Sequence, residues 1–128
     1  MISKDPTIIL DVAHTKDGIS WVLRQLQSEY PENKLHFVLG FVNDKHINDV
    51  LDLLPKEATY YFTNAHIERA LPHQQLKDLA YSKGLKGLSF DHINDAVLHA
   101  KANCKKDEVI MVCGSFFTLA ELDESQII

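Results

Sequence analysis

IILDVAHTKDG, Ile8–Gly18, ends a run of apolar and β-branched residues on an aspartate and places a histidine three positions later. The run itself, Thr7–Val12, is the continuous apolar segment expected of a strand that is buried on both faces. From Lys16 onward the apolar residues recur at helical spacing, which predicts a helix after a short loop. The stretch therefore predicts a strand-to-helix unit with Asp11 and His14 in the turn.

The same alternation of strand and helix continues along the chain. Four further strands are predicted, at Leu35–Val42, Thr59–Thr63, Gly87–Phe90 and Glu108–Cys113. Apolar residues at spacings of three and four predict a helix after each strand, and Asp91 is placed to cap the fourth helix. Such alternation predicts an α/β fold, a Rossmann-like three-layer α/β/α sandwich with a mainly parallel sheet of five strands.

The composition is that of an ordinary globular chain. The 128 residues are 45% hydrophobic and 24% charged, which suffices for one core without a disulfide or a structural metal. The net charge of −5 argues against a nucleic-acid partner, because nucleic-acid-binding proteins usually carry a basic excess. No stretch approaches the ~20 apolar residues of a membrane span and no signal peptide is recognisable, so we expect a cytoplasmic protein without a membrane partner.

Several motifs that would define other functions are missing from the sequence. It has no GxxxxGK[ST] phosphate loop and no GxGxxG after the first predicted strand. The seven histidines lack a metal-ligand spacing with cysteine, so we predict no metal site from the sequence. Cys104 and Cys113 form no CxxC pair, and we expect both to be reduced thiols in or near the core.

Ligands of open α/β sheets bind beyond the carboxyl ends of the strands, so the residues that follow each predicted strand are candidates. They are Asp11, His14, Gly40–Lys45, Thr63–Arg69, Gly114 and Ser115. The helix that begins near Thr15 presents unpaired N–H groups, which suit a phosphate. Each candidate also has a structural alternative: Asp11 and Ser115 as helix caps, and His14 as a solvated side chain.

Two other positions, the Asp44-Lys45 pair and Arg69, can likewise belong either to a ligand site or to the ordinary surface. Asp44 and Lys45 stand at a predicted helix start, either in a ligand site or in a capped, solvated turn. Arg69 is placed either to hold an anionic ligand or to pair with Glu68 or Asp78 on the surface.

Four segments resemble the C-terminal domain of the folylpolyglutamate synthase/dihydrofolate synthase family, which belongs to the Mur ligase superfamily. They are LDVAHTKDG at 10–18, FVLGFVNDKHINDVLDLL at 37–54, ERALPHQQL at 68–76 and GSFFTLAEL at 114–122. These are similar to the family segments LDGAHNP, lvfGmlkDKD…mL..L, pRAlp…L and GSLYLVGEV. They occur in the family's order and cover nearly the whole chain.

The resemblance implies an ATP-dependent amide ligase. In this family ATP converts a substrate carboxylate to an acyl phosphate, which the amine of L-glutamate attacks, and folate or dihydropteroate is the acceptor. By resemblance, Asp11 binds ATP at the ribose, His14 lies beside the phosphates as an ATP-binding and catalytic residue, and Ser115 binds glutamate. The phosphate loop, the Mg²⁺ site and the pterin pocket are implied to lie in a preceding domain, in an enzyme that is a monomer.

Two departures from the family pattern bear on this interpretation. Thr15 and Lys16 replace the family's Asn-Pro, so the role of that asparagine is open here. The family's Gly-Arg pair, a dozen or so residues before the aspartate, would fall before Met1. Because the first strand also begins almost at Met1, we expect residues 1–128 to be a Mur-ligase-type C-terminal (glutamate ligase) domain from a longer enzyme.

The family fold also implies a particular sheet. Its order would be first, fifth, second, third and fourth predicted strand, with an antiparallel edge strand that is largely truncated here. The loops after the first and fifth strands would then lie side by side in one cleft. Two other functions stay open: a Mur-type domain that adds an amino acid to a cell-wall precursor, and a stand-alone nucleotide-binding module without chemistry of its own.

Overall fold

The computed structural model describes residues 3–4 and 6–127, with side chains from residue 6 onward. The strands are β1 (Ser3–Lys4), β2 (Thr7–Asp11), β3 (Leu35–Gly40), β4 (Thr59–Phe62), β5 (Gly87–Ser89) and β6 (Val109–Gly114). The helices are α1 (Lys16–Glu29), α2 (Ile47–Leu53), α3 (His73–Ser82), α4 (Ile93–Asn103) and α5 (Phe116–Ala120), followed by a 3-10 helix at Glu124–Gln126. None of the helices in the described ranges is both long and apolar enough to span a membrane.

All the strands belong to one sheet, in the order β1-β2-β6-β3-β4-β5. Strands β2 to β6 pair in parallel, and β1 pairs antiparallel with β2 at the edge. The order of the five predicted strands is therefore confirmed. The antiparallel edge strand is present within this chain, although only as two residues.

Helices cover both faces of the sheet, as the alternation predicted. Ile19 of α1 and Leu76 of α3 belong to a buried cluster on one face, together with Met111 of β6. Val97 of α4 belongs to the buried cluster on the other face, together with Val112, the neighbour of Met111 in β6. Because alternate residues of a strand point to opposite faces, β6 supplies both cores, and its six residues are all buried.

A buried polar group lies at the amino ends of the parallel strands. His36 of β3 is 1% exposed; its Nε2 lies 2.8 Å from Oε1 of Glu108, and its Nδ1 lies 3.0 Å from the Tyr61 hydroxyl. The backbone N–H of Lys105 also donates to Oε1 of Glu108, at 3.0 Å. The hydrogen bond with His36, followed by that from Lys105, lowers the pKa of the Glu108 carboxyl. This group ties β3, β4 and the start of β6 together.

The element bounds differ from the sequence predictions in a few places. Strand β3 ends at Gly40, and Val42 instead forms an isolated antiparallel bridge with Ala70. The prediction that Asp91 caps α4 is wrong: His92 is the N-cap residue, and its side chain makes no capping bond. The Asp91 carboxylate lies instead near two imidazoles, a contact that local sequence does not signal.

Both cysteines are free thiols, as expected. Burial, followed by the charge of Asp11, raises the pKa of Cys113 to about 12. Burial also raises the pKa of the half-buried Cys104 to about 11. Because the thiolate is the reactive form, neither cysteine is suited to act as a nucleophile near neutral pH.

Candidate functional site

The carboxyl ends of β2, β6 and β3 lie side by side at one edge of the sheet. Asp11 of β2 is in register with Cys113 of β6, and Gly114 is in register with Gly40 of β3. The loops that follow these strands are therefore neighbours. This confirms the prediction that the loops after the first and fifth predicted strands lie next to each other.

Gly114 lets β6 and β3 approach closely at this edge. Its φ of +134° is in a region that side chains rarely adopt, and a Cβ there would lie 1.9 Å from the Gly40 carbonyl oxygen. The N–H of Ser115 donates to the same oxygen at 2.9 Å. That N–H is therefore already used within the fold.

Ser115 is the N-cap residue of α5 and is only 4% exposed. Its Oγ accepts from the Thr118 N–H at 3.1 Å and lies 2.8 Å from the Thr118 hydroxyl. These contacts are the ones expected if Ser115 serves as a helix cap, which was the structural alternative for this residue. Its role in glutamate binding stays a prediction, which requires the hydroxyl to donate to the substrate while still accepting from Thr118.

Asp11 ends β2 and is half-buried. Its Oδ1 accepts from the N–H of Ala13 at 2.9 Å, which fixes the first turn of the loop. The side chain borders a shallow depression together with Val12 and with Phe116 and Ala120 of α5. Because an ionised carboxylate has two acceptor oxygens, Asp11 can hold this turn and still accept from a ligand hydroxyl.

His14 is exposed and has one ring nitrogen fixed by its own loop. Nδ1 lies 2.9 Å from the carbonyl oxygen of Val12, which can only accept, so Nδ1 carries the proton and Nε2 is left for a ligand. Thr15 follows as the N-cap of α1, and its Oγ1 accepts from the Gly18 N–H at 3.1 Å. The threonine that replaces the family's asparagine therefore acts here as a helix cap.

A cleft of about 390 Å³ separates the start of α1 from the loop between β3 and α2. It is bordered by His14, Lys16, Phe41, Asp44, His46 and Ile47, among others. His14 and Lys16 lie at its helical wall, whereas Asp11 borders the other depression, beside α5. Residues at the end of β2 and residues after β6 thus border one depression, as the prediction of a shared cleft required, whereas His14, further along the first loop, borders the cleft beside α1.

Asp44 holds the opposite wall of the cleft in a turn. Its Oδ1 accepts from the N–H of His46, the N-cap residue of α2, at 2.8 Å. This contact is the one expected if Asp44 lies in a capped turn rather than in a ligand site. The sequence placed Asp44 correctly at the helix start, and the carboxylate still borders the cleft.

The loop after β4 is attached to this wall by backbone hydrogen bonds. The N–H of Asn43 donates to the carbonyl of Arg69 at 2.7 Å, and the N–H of Leu71 donates to that of Phe41 at 2.9 Å. The Arg69 side chain is exposed and, within residues 6–127, pairs with neither of the carboxylates that the sequence suggested. It stays a candidate for an anionic ligand.

Asn64 positions the same loop; it lies within the predicted candidate segment Thr63–Arg69, but the sequence assigned it no role of its own. It is 7% exposed, and its Oδ1 accepts from the N–H of His73 at 2.7 Å, at the start of α3. Its Nδ2 donates to the carbonyl of Asp91 at 3.3 Å. The signal available in the sequence was only an asparagine after a strand, which is common in ordinary turns.

The family model described as Mur ligase, glutamate ligase domain, matches residues 1–116. This chain belongs to that family. The resemblance inferred from the four sequence segments is thereby confirmed.

The glutamate ligase domain is similar to enzymes of folate metabolism. It is 30% identical over 121 residues to the dihydrofolate synthase/folylpolyglutamate synthase of Buchnera aphidicola subsp. Schizaphis graminum, covering 94% of this chain and 28% of that protein. It matches Escherichia coli FolC in complex with DHPP and ADP with a TM-score of 0.82 and 28% identity, over 92% of this chain and 28% of that one.

A bifunctional folylpolyglutamate synthase/dihydrofolate synthase solved with Mn, AMPPNP and L-glutamate gives a TM-score of 0.84 at 25% identity. The match covers 98% of this chain and 30% of that one. The chain thus spans less than a third of the length of each of these relatives.

A second polar cluster of the glutamate ligase domain lies at the carboxyl ends of β4 and β5. His66 donates from its backbone N–H to Oε2 of Glu121 at 2.6 Å, and its Nδ1 lies 2.7 Å from Oε1 of the same carboxylate. Its Nε2 lies 3.5 Å from Oδ1 of Asp91. The hydrogen bond with Glu121 is the main cause that raises the pKa of the His66 imidazole. No local sequence pattern predicts this contact, because it joins residues 55 positions apart.

The described residues do not fit the Mg²⁺ that ligases of this family are implied to use. Two groups bring possible metal-ligating atoms together: His36, Cys104 and Glu108, and His66, Asp91 and His92. Each includes nitrogen or sulfur, whereas Mg²⁺ prefers an octahedron of oxygen ligands. We therefore assign no step through Mg²⁺ to the residues of this domain.

Proposed function

We propose that residues 1–128 form the C-terminal domain of a longer ATP-dependent ligase that adds L-glutamate to folate or dihydropteroate. The observation that carries this proposal is the similarity to Escherichia coli FolC in complex with DHPP and ADP, at a TM-score of 0.82 over 92% of the chain and 28% identity. Membership in the glutamate ligase domain family supports the same reaction class.

In the proposed reaction, an oxygen of the substrate carboxylate attacks the γ-phosphorus of ATP, forming an acyl phosphate and releasing ADP. The amine of L-glutamate then attacks the acyl carbon, inorganic phosphate leaves, and the amine loses a proton as the amide forms. Phosphoryl transfer depends mainly on positioning and on neutralising charge. We assign the phosphate loop and Mg²⁺ to a preceding domain, and the closing wall of the nucleotide site to this one.

We propose that the start of α1 faces the phosphates. Its free N–H groups and the helix dipole favour an anion there, and Lys16 adds a positive side chain beside the same cleft. His14 has Nε2 available, so its protonated form can donate to a phosphate oxygen while Nδ1 stays bonded to Val12. Asp11 is assigned to a ribose hydroxyl, and Ser115 to the incoming glutamate.

Exposed apolar side chains border the same edge and support contact with another domain. Val12 is 50% exposed, and Phe116 and Phe117 of α5 are 64% and 44% exposed. We propose that the preceding domain covers this surface when the enzyme closes over ATP. We further propose that the enzyme is a monomer in the cytoplasm without a nucleic-acid partner; the free thiols of Cys104 and Cys113 suit a reducing compartment.

The test is ADP release with ATP, Mg²⁺, folate or dihydropteroate, and L-glutamate, using the complete enzyme and the 128-residue chain alone. Asp11→Ala should lower kcat/KM for ATP by about 10- to 150-fold, because a hydrogen bond to a charged group contributes about 1.5–3 kcal/mol. His14→Ala should lower kcat more than it raises KM for folate. The isolated chain should release no ADP, since it lacks the other half of the site.

Asp78→Ala is the matched control, because Asp78 is an exposed carboxylate on α3 and borders neither of the two hollows. It should leave the kinetics unchanged. Normal kinetics in both Asp11→Ala and His14→Ala would mean that Asp11 serves only as a cap and that His14 is only a solvated side chain. Robust ADP release by the 128-residue chain would overturn the two-domain account, and activity only with a cell-wall precursor would replace folate as the acceptor.

A further inference from the structure

The cluster around His66 combines two imidazoles with a carboxylate from separate loops. His66 follows β4, whereas Asp91 and His92 follow β5. One ligand atom from each of the three residues lies within 4.8 Å of the others. Residues distant in sequence therefore present a converging set of donor atoms.

The distances within this cluster suit one small cation. His66 Nε2 lies 3.5 Å from Asp91 Oδ1, and His92 Nε2 lies 3.5 Å from Asp91 Oδ2. A tetrahedral zinc ion with bonds of ~2.05 Å separates its ligand atoms by ~3.3 Å. Both gaps are long for strong hydrogen bonds and close to this ligand separation. They reach the two different oxygens of Asp91, and one ring nitrogen of His66 lies within 4.8 Å of one ring nitrogen of His92.

Glu121 gives His66 the orientation that a metal-binding histidine needs. Its Oε1 lies 2.7 Å from Nδ1, and its Oε2 accepts from the His66 backbone N–H at 2.6 Å. A proton held at Nδ1 by this carboxylate leaves Nε2, which lies 3.5 Å from Asp91 Oδ1, available to bind a metal. Carboxylate–histidine–metal arrangements of this type are frequent in zinc sites.

We propose that His66, Asp91 and His92 bind a divalent transition-metal ion such as Zn²⁺, with Glu121 as the residue that orients His66 and with water completing the coordination. Imidazole nitrogens favour this class of ion over Mg²⁺ or Ca²⁺, which prefer oxygen ligands alone. Bound metal would join the loop after β4 to the start of α4. Because that loop carries Arg69 and adjoins the wall of the cleft, the ion would restrain one side of the candidate site.

The inferred site requires one side-chain adjustment. The rings of His66 and His92 stack with centroids 4.5 Å apart, whereas a shared ion lies near the plane of each ring that binds it. His92 has a side chain that is 61% exposed, so it can turn about its two side-chain torsions without disturbing the core.

Isothermal titration calorimetry of the chain with ZnCl₂ alone at pH 7.5 tests the inference. We expect saturable one-to-one binding, no comparable signal with MgCl₂, and a higher melting temperature with Zn²⁺. Glu121→Gln should weaken Zn²⁺ binding by about tenfold, the smaller end of the range for residues that orient a ligand. Asp91→Asn and His92→Asn should each weaken it further.

His99→Asn is the matched control, because His99 is an exposed histidine of α4 that contacts Phe90 outside the cluster. Its Zn²⁺ affinity should equal that of the parent chain. Cobalt titrations add an independent readout, since a four-coordinate Co²⁺ absorbs visible light more strongly than the hydrated ion. The inference is overturned if Zn²⁺ binding is absent, or if it survives Asp91→Asn and His92→Asn unchanged; both variants alter exposed side chains, and circular dichroism checks their fold.

Discussion

At the amino ends of the parallel strands, His36 and Glu108 are nearly inaccessible to solvent and bond to each other. At the carboxyl ends, Asp11 and His14 are accessible and bond to the backbone of their own loop. Both edges therefore carry an imidazole and a carboxylate. At the first edge the two groups satisfy each other. At the carboxyl edge, Asp11 and His14 each keep one hydrogen-bonding atom that faces solvent and is not used within the loop.

The difference follows from what each edge has to do. A buried polar group costs free energy unless it is hydrogen-bonded, so the amino edge uses its polar residues to hold strands together. At the carboxyl edge the loops open toward the cleft, and their polar groups need only local bonds to keep their positions. Polar residues of the amino edge are thus expected to matter for stability, and those of the carboxyl edge mainly for binding.

The largest expected effect concerns a tightly packed point of the carboxyl edge. Gly114→Ala would place a Cβ 1.9 Å from the Gly40 carbonyl oxygen at a φ of +134°. Both the collision and the backbone strain disfavour the folded chain, so we expect a loss of more than about 4 kcal/mol in the free energy of unfolding. Urea denaturation measures this loss.

Gly18→Ala provides the comparison for that variant. Gly18 lies in the first turn of α1, where a Cβ would approach Thr15 Oγ1 to 3.2 Å, a contact that a small shift relieves. The helix propensity of alanine offsets this crowding, so the change should stay within about 1 kcal/mol. Equal stability losses in the two variants would contradict the special role of Gly114.

The second prediction compares a buried and an exposed histidine. His36→Ala removes the partner of Glu108 within a buried pair, so it should destabilise the chain by about 3–5 kcal/mol. His46→Ala removes a side chain that is 65% exposed, and it should change stability by less than about 0.5 kcal/mol. Similar losses in the two variants, measured by urea denaturation, would show that the amino edge is not specially dependent on its polar pair.

Much of this fold followed from local patterns. The switch from a continuous apolar run to helical spacing at Lys16 located β2 and α1, because burial on two faces and burial on one face leave different periods. The order of the strands needed the family resemblance, since pairing between β2 and β6 joins distant segments. Strand β1 has only two residues, too few to produce a pattern.

The candidate site was predictable in location and less so in detail. Asp11, His14 and Ser115 were found because they follow strands whose carboxyl ends share an edge. It was not predictable that Asp11 and His14 border different hollows, because the packing of α1 and α5 around these loops is a tertiary feature. The bond between His66 and Glu121 depends likewise on a tertiary contact across the sheet edge.

The third prediction separates two roles of Ser115. Loss of its cap on α5 in Ser115→Ala should cost about 1 kcal/mol of stability. If the hydroxyl also binds glutamate in the complete enzyme, KM for glutamate should rise while KM for ATP changes little. Ser82→Ala, which alters an exposed serine of α3, should affect neither quantity. A normal KM for glutamate in Ser115→Ala would leave only the capping role.

The smallest expected effect is a dependence on pH that belongs to the amino edge. The bond with His36 lowers the pKa of Glu108 below its ordinary value of 4.5. A carboxyl whose pKa is lowered by folding stabilises the chain above its unfolded pKa, and this contribution is lost as the pH falls through the folded pKa. The difference in unfolding free energy between the parent and Glu108→Gln should thus shrink as the pH falls below 4.5. Glu57→Gln, at an exposed carboxyl, should show no such trend. Urea titrations at half-unit steps measure both, and a difference that stays constant to pH 3 would mean that Glu108 contributes through shape and packing rather than through its charge.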